Sequence, residues 1–219
     1  EAYHVSLQLG TFRTYFALSP DGRWLMTFRA TVAVFDTATG EERFHGDHMN
    51  WSMWSDRASY NPFSSDSSRL AIPIREGVRS ADADKTYKQI KSSSVLLSVP
   101  DGKVLVSREF EDPTQSDGAK HFSADGTRVL MLRWTGVGST TESARSIPAA
   151  VVCDASTLLP IGPEIRFTYS QASSSTEIML TPDGNRIVFN LSGERAAKVY
   201  DVKTGQLAFP ELPHGAPFS

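Results

Sequence analysis

Four aspartates recur in one local setting and have the clearest claim to chemistry: Asp21, Asp66, Asp125 and Asp183. Each follows a Ser or Thr by two positions and precedes a Gly or Ser, as in Leu18-Ser19-Pro20-Asp21-Gly22 and Leu180-Thr181-Pro182-Asp183-Gly184. Recurring carboxylates suit proton transfer or cation binding. Yet Pro presets φ and Gly accepts positive φ, so the same residues spell a tight turn. An active site is rarely built four times, so Asp21, Gly22, Asp66, Asp125, Gly126, Asp183 and Gly184 are read as turn formers.

Other candidates are weaker. His45-x-Asp47-His48 offers two imidazoles and a carboxylate, but no fourth ligand or supporting shell is evident. Asp82-x-Asp84 lacks the Gly and terminal Glu of a calcium loop. Cys153 ends an apolar stretch and reads as an inert core thiol; His4 and His121 are isolated. Asn190-Leu191-Ser192 fits a glycosylation acceptor but ends a predicted inner strand. The chain has no Gly-x-Ser-x-Gly, P-loop or His-Glu-x-x-His motif. The expectation is a non-enzymatic protein with no catalytic residue, metal or cofactor.

The elements that hold these residues follow from the repeat. The four Asp residues stand 45, 59 and 58 positions apart, a period that signals a repeat architecture. In the fourth copy, residues 177–180, 186–191, 197–201 and 206–212 read as a four-stranded antiparallel meander. The first copy repeats it over 15–18, 24–28, 31–36 and 41–44. The second gives 60–63, 69–74, 94–98 and 103–110, and the third 120–122, 128–134, 149–154 and 158–167. Second strands such as Val129-Leu130-Met131-Leu132 are apolar on both faces, as in a sheet covered on both sides. The predicted class is all-β, with sheets stacked face to face as propeller blades.

These residues resemble a WD-repeat β-propeller of the bacterial type. The resemblance rests on the Ser-Pro-Asp-Gly turn, on Val34-Phe35-Asp36-Thr37-Ala38-Thr39-Gly40 and on Val199-Tyr200-Asp201-Val202-Lys203-Thr204-Gly205. Phe35-Asp36, Cys153-Asp154 and Tyr200-Asp201 occupy the place of the Trp-Asp pair. Leu97-Ser98 departs from it, and the Gly-His pair before each first strand is absent. Residues 204–215 also look like repeats that follow the catalytic domain in some bacterial Ser/Thr kinases.

Blades are expected over residues 12–47, 58–111, 118–168 and 176–212. Residues 1–10 read as the outer strand of a preceding blade and 213–219 as the lead-in to a next one. The expectation is an arc of a larger ring, with the remaining blades in a longer parent chain; a closed four-bladed ring is the alternative. An arc exposes apolar faces on its end blades.

Composition is that of an ordinary globular protein. The chain has 219 residues and a net charge of −3, which gives no bulk attraction to nucleic acid or anionic membrane. No apolar run approaches the ~18 residues of a membrane span. Glu1-Ala2-Tyr3 opens no signal peptide, and one cysteine fits a reducing compartment, so a cytoplasmic location is expected.

Loops alternate between the two faces of the disc. One face collects an insertion at residues 75–93, another at 135–148, and the 49–59 connection with Trp51 and Trp54. Insertions on one face of a repeat array often mark its binding face, though added loop length is also simply tolerated. Candidate binding residues are Trp51, Trp54, Arg75, Arg79, Lys85, Tyr87 and Lys88. The two tryptophans fit an interaction hot spot and equally fit a plug between the first two blades. Residues 85–91 fit a short helical turn or a solvated excursion. The leading expectation is a scaffold binding a protein or peptide. A propeller accessory to a kinase or other enzyme is the second reading, and a catalytic or small-molecule-binding propeller using its central channel the third.

Overall fold

A computed structural model describes residues 15–28, 31–46, 61–79, 87–110, 116–134, 148–167, 177–190 and 196–213. Turn chemistry divides them into four antiparallel sheets. The first blade runs β1 (Tyr15–Leu18), β2 (Trp24–Phe28), β3 (Val32–Asp36) and β4 (Glu42–Gly46). The second holds β5 (Arg69–Arg79), β6 (Tyr87–Ser98) and β7 (Val104–Glu109), with Phe63 bridging to Leu70 where an inner strand is expected. The third holds β8 (Ser116–Phe122), β9 (Arg128–Trp134), β10 (Pro148–Asp154) and β11 (Ile165–Arg166). The fourth holds β12 (Glu177–Leu180), β13 (Arg186–Asn190), β14 (Ala196–Asp201) and β15 (Leu212–Pro213). Neighbours in sequence are neighbours in each sheet, so every blade is a meander. All described elements are strands.

The apolar residues on both faces of the middle strands are used on both faces. Alternate side chains point to opposite sides of a sheet. One face of the first blade (Trp24, Met26, Val34) packs on Leu70, Ile72 and Leu97 of the second. The other side of the second blade, Ala71 and Leu96, meets Val129, Met131 and Val151 of the third. The far side of the third, Leu130, Leu132 and Val152, meets Ile178, Ile187 and Phe189 of the fourth. The core is thus three layers between four sheets. Among the described residues no such layer joins the fourth blade to the first.

Outside the second blade the inner and middle strands lie within a few positions of the predicted residues; the outer strands of the second, third and fourth blades are shorter than predicted. Residues 158–167 yield only β11 and a bridge from Pro160 to Cys153, because Pro160, Gly162 and Pro163 interrupt the ladder. Residues 206–212 yield a Leu207–Tyr200 bridge and β15, with Pro210 between. A larger difference lies in the second blade. The expected 75–93 loop is in large part strand: β5 continues to Arg79 and β6 begins at Tyr87, with a bulge between Glu76 and Gly77. Tyr87–Lys91 lie in β6, so they form neither the short helical turn nor the solvated excursion that residues 85–91 fit. The expected strand at 1–10 and lead-in at 214–219 lie outside the described residues.

Candidate functional site

The repeated turn is built the same way four times. Ser19 Oγ donates to Asp21 at 2.6 Å and accepts from the Trp24 N–H at 2.8 Å, while Asp21 accepts from the Arg23 N–H at 3.0 Å. Ser64 and Asp66 repeat this toward Arg69 and Ser68. Ser123 and Asp125 do so toward Arg128 and Thr127, and Thr181 and Asp183 toward Arg186 and Asn185. The residue after each Asp takes positive φ: Gly22, Gly126, Gly184 and, in the second blade, Ser67 at 61°. Hydrogen bonds to the ionised form lower a carboxyl pKa. Donation from Ser123 and Thr181, joined by backbone N–H groups, brings Asp125 and Asp183 down to about 2. Asp21 and Asp66 are lowered for the same cause. Carboxylates held ionised by their own turn are poor proton donors, which supports the structural reading.

The aspartates aligned with the Trp-Asp position do related work. Asp36 accepts the N–H groups of Ala38 and Thr39, Asp154 those of Ser156 and Thr157, and Asp201 that of Thr204. Each closes the turn leading to an outer strand. Ser98 holds this place in the second blade by accepting the Lys103 N–H at 3.1 Å.

The arginines three positions past Asp66 and Asp125 tie blades together, a role that sequence reading misses. The Arg69 guanidinium donates to the Gly126 carbonyl of the third blade at 2.8 Å. Arg128 donates to the Gly184 carbonyl of the fourth at 2.9 Å and to Asn185 Oδ1 at 2.7 Å. A Cβ at Gly126 would lie 2.5 Å from Arg69, and one at Gly184 2.6 Å from Arg128 Cδ, so glycine leaves room for each arginine. Between the first two blades Trp24 is buried instead, and Ser67 Oγ accepts the Asp21 N–H at 3.1 Å. The signal was present in sequence as Arg69, Arg128 and Arg186 at equivalent places.

The opposite edge of the blades carries the candidate binding residues. Ladder register sets Arg75 opposite Ser92, Glu76 opposite Lys91, Val78 opposite Lys88 and Arg79 opposite Tyr87. Four of the seven predicted residues, Arg75, Arg79, Tyr87 and Lys88, are thereby brought together on one hairpin arm. β7 pairs with β6 only from Ser93 to Leu97, so among the described residues Tyr87–Ser92 have β5 as their sole ladder partner. Trp51, Trp54 and Lys85 lie outside the described residues, as do Asp47, His48, Asp82 and Asp84. His45 lies 3.3 Å from Glu42. Among the described residues no three His, Cys, Asp or Glu side chains gather as a metal site, and no helix is long and apolar enough to cross a membrane.

Polar groups are also buried at positions that no local pattern marks. Lys120 and Ser94 are buried, and Ser94 Oγ and His121 Nε2 have no hydrogen-bond partner. Burial, aided by the charge of Lys120, pushes the His121 pKa down to about 4. Arg133 is buried against Glu164, its guanidinium 6.0 Å from the Phe110 ring. Cys153 is buried in the core between the second and third blades, as expected of an inert thiol.

Stacked four-stranded meanders define the β-propeller class, and comparison with solved structures agrees. The Dos1 propeller is 10% identical at a TM-score of 0.53, the match covering 94% of this chain and 48% of that one. The WD40 domain of Toxoplasma gondii coronin is 12% identical at 0.53, covering 93% and 46%. Prolyl oligopeptidase B from Galerina marginata, bound to a 25mer macrocyclization substrate, is 10% identical at 0.55, covering 92% and 30%. At such identities the likeness is one of fold, and it includes proteins named as enzymes. The chain spans 30–62% of the length of eight solved chains it matches. No protein-family model and no curated protein matches it.

Proposed function

We propose that this chain is a non-enzymatic propeller module that binds a protein or peptide through the edge bearing the β5–β6 arm. The observation that carries the reading is the arm itself. The second blade extends its middle strands to Arg79 and from Tyr87, while the other edge is closed by tight repeated turns. A strand paired on one side offers its other side to an extended segment, which adds by main-chain hydrogen bonds. Residues 75–93 hold five Lys or Arg and three Asp or Glu within a chain of net charge −3. That local excess favours an acidic segment. The test replaces residues 77–89 with an Asn-Gly turn and compares capture of binding proteins with the intact chain. Lost capture at an unchanged melting temperature supports the reading; full capture by the shortened chain removes it.

A second reading, a propeller accessory to a catalytic domain elsewhere, draws support from the prolyl oligopeptidase match, which covers 30% of an enzyme chain. The kinase form of that reading rests on the resemblance of residues 204–215. The coding region around this segment separates the two: a kinase-type Gly-rich loop and catalytic Asp upstream of Glu1 would favour the accessory role, and no enzyme domain on either side would remove it.

A further inference from the structure

Asp-Gly is the dipeptide at which an aspartyl carboxyl most readily meets the next backbone nitrogen, because glycine has no Cβ to obstruct the approach. The chain holds Asp21-Gly22, Asp101-Gly102, Asp117-Gly118, Asp125-Gly126 and Asp183-Gly184. Asp117-Gly118 sits within β8, both residues in ladder register with β9. The others sit in tight turns, each Gly at positive φ and each donating its N–H to a carbonyl three or four positions back. Asp21, Asp101 and Asp183 even share the tripeptide Pro-Asp-Gly.

What differs among the turns is the carboxylate. Asp21, Asp125 and Asp183 each accept a Ser or Thr hydroxyl at 2.6 Å and the N–H two residues on at 3.0 Å. At Asp101 that second donor is taken, since the Lys103 N–H goes to Ser98 Oγ at 3.1 Å. Ser98 stands where the other blades carry Asp36, Asp154 and Asp201, and Asp101 where they carry Thr39, Thr157 and Thr204. Those threonines accept the N–H two positions on through Oγ1. The exposed Asp101 carboxylate makes no hydrogen bond or ion pair among the described residues.

We infer that Asp101-Gly102 is a modification site, where the backbone isomerises to isoaspartate and so presents a free α-carboxylate for enzymatic methylation. The Gly102 nitrogen attacks Cγ of the protonated carboxyl. The N–Cγ bond forms, and the carboxyl hydroxyl leaves with the amide proton as water. Water then opens the ring at the Asp101 main-chain carbonyl, so the chain runs through Cβ and Cγ. A methyltransferase with a sulfonium methyl donor esterifies the freed carboxylate: the O–CH3 bond forms, the S–CH3 bond breaks and a thioether leaves. The other turns resist the first step. Their hydroxyl and N–H donors hold the carboxyl in place and ionised, with Asp125 and Asp183 at about 2 against an ordinary 3.8, and an ionised carboxyl is the poorer electrophile. The change would be felt between blades. Gly102 lies against Phe44 of the first blade, where even a Cβ would overlap the ring. Isoaspartate adds a backbone carbon there and loosens that contact.

Ageing residues 1–219 at physiological temperature and pH, followed by peptide mapping for isoaspartate, tests this. Trypsin releases the turn Asp-Gly pairs on separate peptides, residues 14–23, 92–103, 121–128 and 167–186. The folded chain should carry ten-fold or more isoaspartate at Asp101 than at Asp21, Asp125 or Asp183, because one pKa step changes the protonated fraction ten-fold. In concentrated urea the four should react alike. Ser123→Ala should raise isoaspartate at Asp125 towards the level at Asp101, and Asp101→Glu should remove most methyl transfer by a purified isoaspartyl methyltransferase. Isoaspartate at Asp101 no higher than at the other turns overturns the inference, as does methyl transfer that survives Asp101→Glu. The same ranking in urea also overturns it, because local sequence and not the fold would then be the cause. The comparison of folded and urea-denatured chains needs no substitution, so it decides even where Ser123→Ala fails to fold.

Discussion

The two edges of the blades follow opposite rules. On one edge every blade closes with the same hydrogen bonds, Ser or Thr to Asp and Asp to backbone, and adjacent turns touch: Ser65 Oγ donates to the Ala124 carbonyl, and the Ala124 N–H to that of Pro182. On the other edge lengths diverge. Three residues join β2 to β3, while β5 and β6 run eleven and twelve residues into an arm. A turn that must both reverse the chain and contact its neighbour tolerates little change. An edge whose extensions project away from the stack is freer to vary, and loop length itself costs little. The turns are held alike at the first edge, and strand length varies at the second.

The contrast can be broken most sharply at Gly184. Valine there meets both positive φ and Arg128, so Gly184→Val should cost roughly 2–4 kcal/mol in urea unfolding; a loss under half a kcal/mol would show that the turn edge is not rigid. Arg128→Ala removes the tie to Gly184 and should cost about 1.5–3 kcal/mol, with Arg69→Ala alike.

His121 gives a pH signature inside the stack. Its folded pKa near 4 lies below the ordinary 6.5, so the unfolded chain binds the extra proton between these values and stability falls as pH drops from 6.5 to 4. His121→Gln should flatten the melting temperature across that window. At the turn edge Asp125 and Asp183 titrate near 2, below their ordinary value. Their stabilisation is complete above pH 4 and lost as pH falls toward 2. Asp183→Asn should reduce that acid dependence. The smallest effect is expected at the other edge: replacing residues 77–89 with an Asn-Gly turn should move stability by no more than about 0.5 kcal/mol. A large drop would mean that the arm is part of the fold.

Much of the fold was legible because strand patterns are local. β1, β2, β9 and β12 fall at the residues predicted, since a tight Asp-containing turn marks one end of each short apolar run. The outer strands were less legible: residues 158–167 and 206–212 carry prolines that break a ladder without removing the bridges at Pro160 and Leu207. The arm was missed because charge at Arg75–Arg79 and Lys88–Lys91 reads as loop. Main-chain pairing between two facing segments overrides that local preference. Of the candidate binding residues, Arg75, Arg79, Tyr87 and Lys88 share this arm, which the sequence could place only within one insertion.

The sequence by itself determined the repeat, the turn role of Asp21, Asp66, Asp125 and Asp183, and the two-sided burial of the middle strands, because each depends on residues close together in the chain. Only the tertiary structure decided that Arg69 and Arg128 tie blades, that Ser67 takes that duty between the first two blades, and that Ser94 Oγ and His121 Nε2 are buried without hydrogen-bond partners. Those outcomes join residues as many as 57 positions apart, and no local pattern encodes which carbonyl a guanidinium will meet.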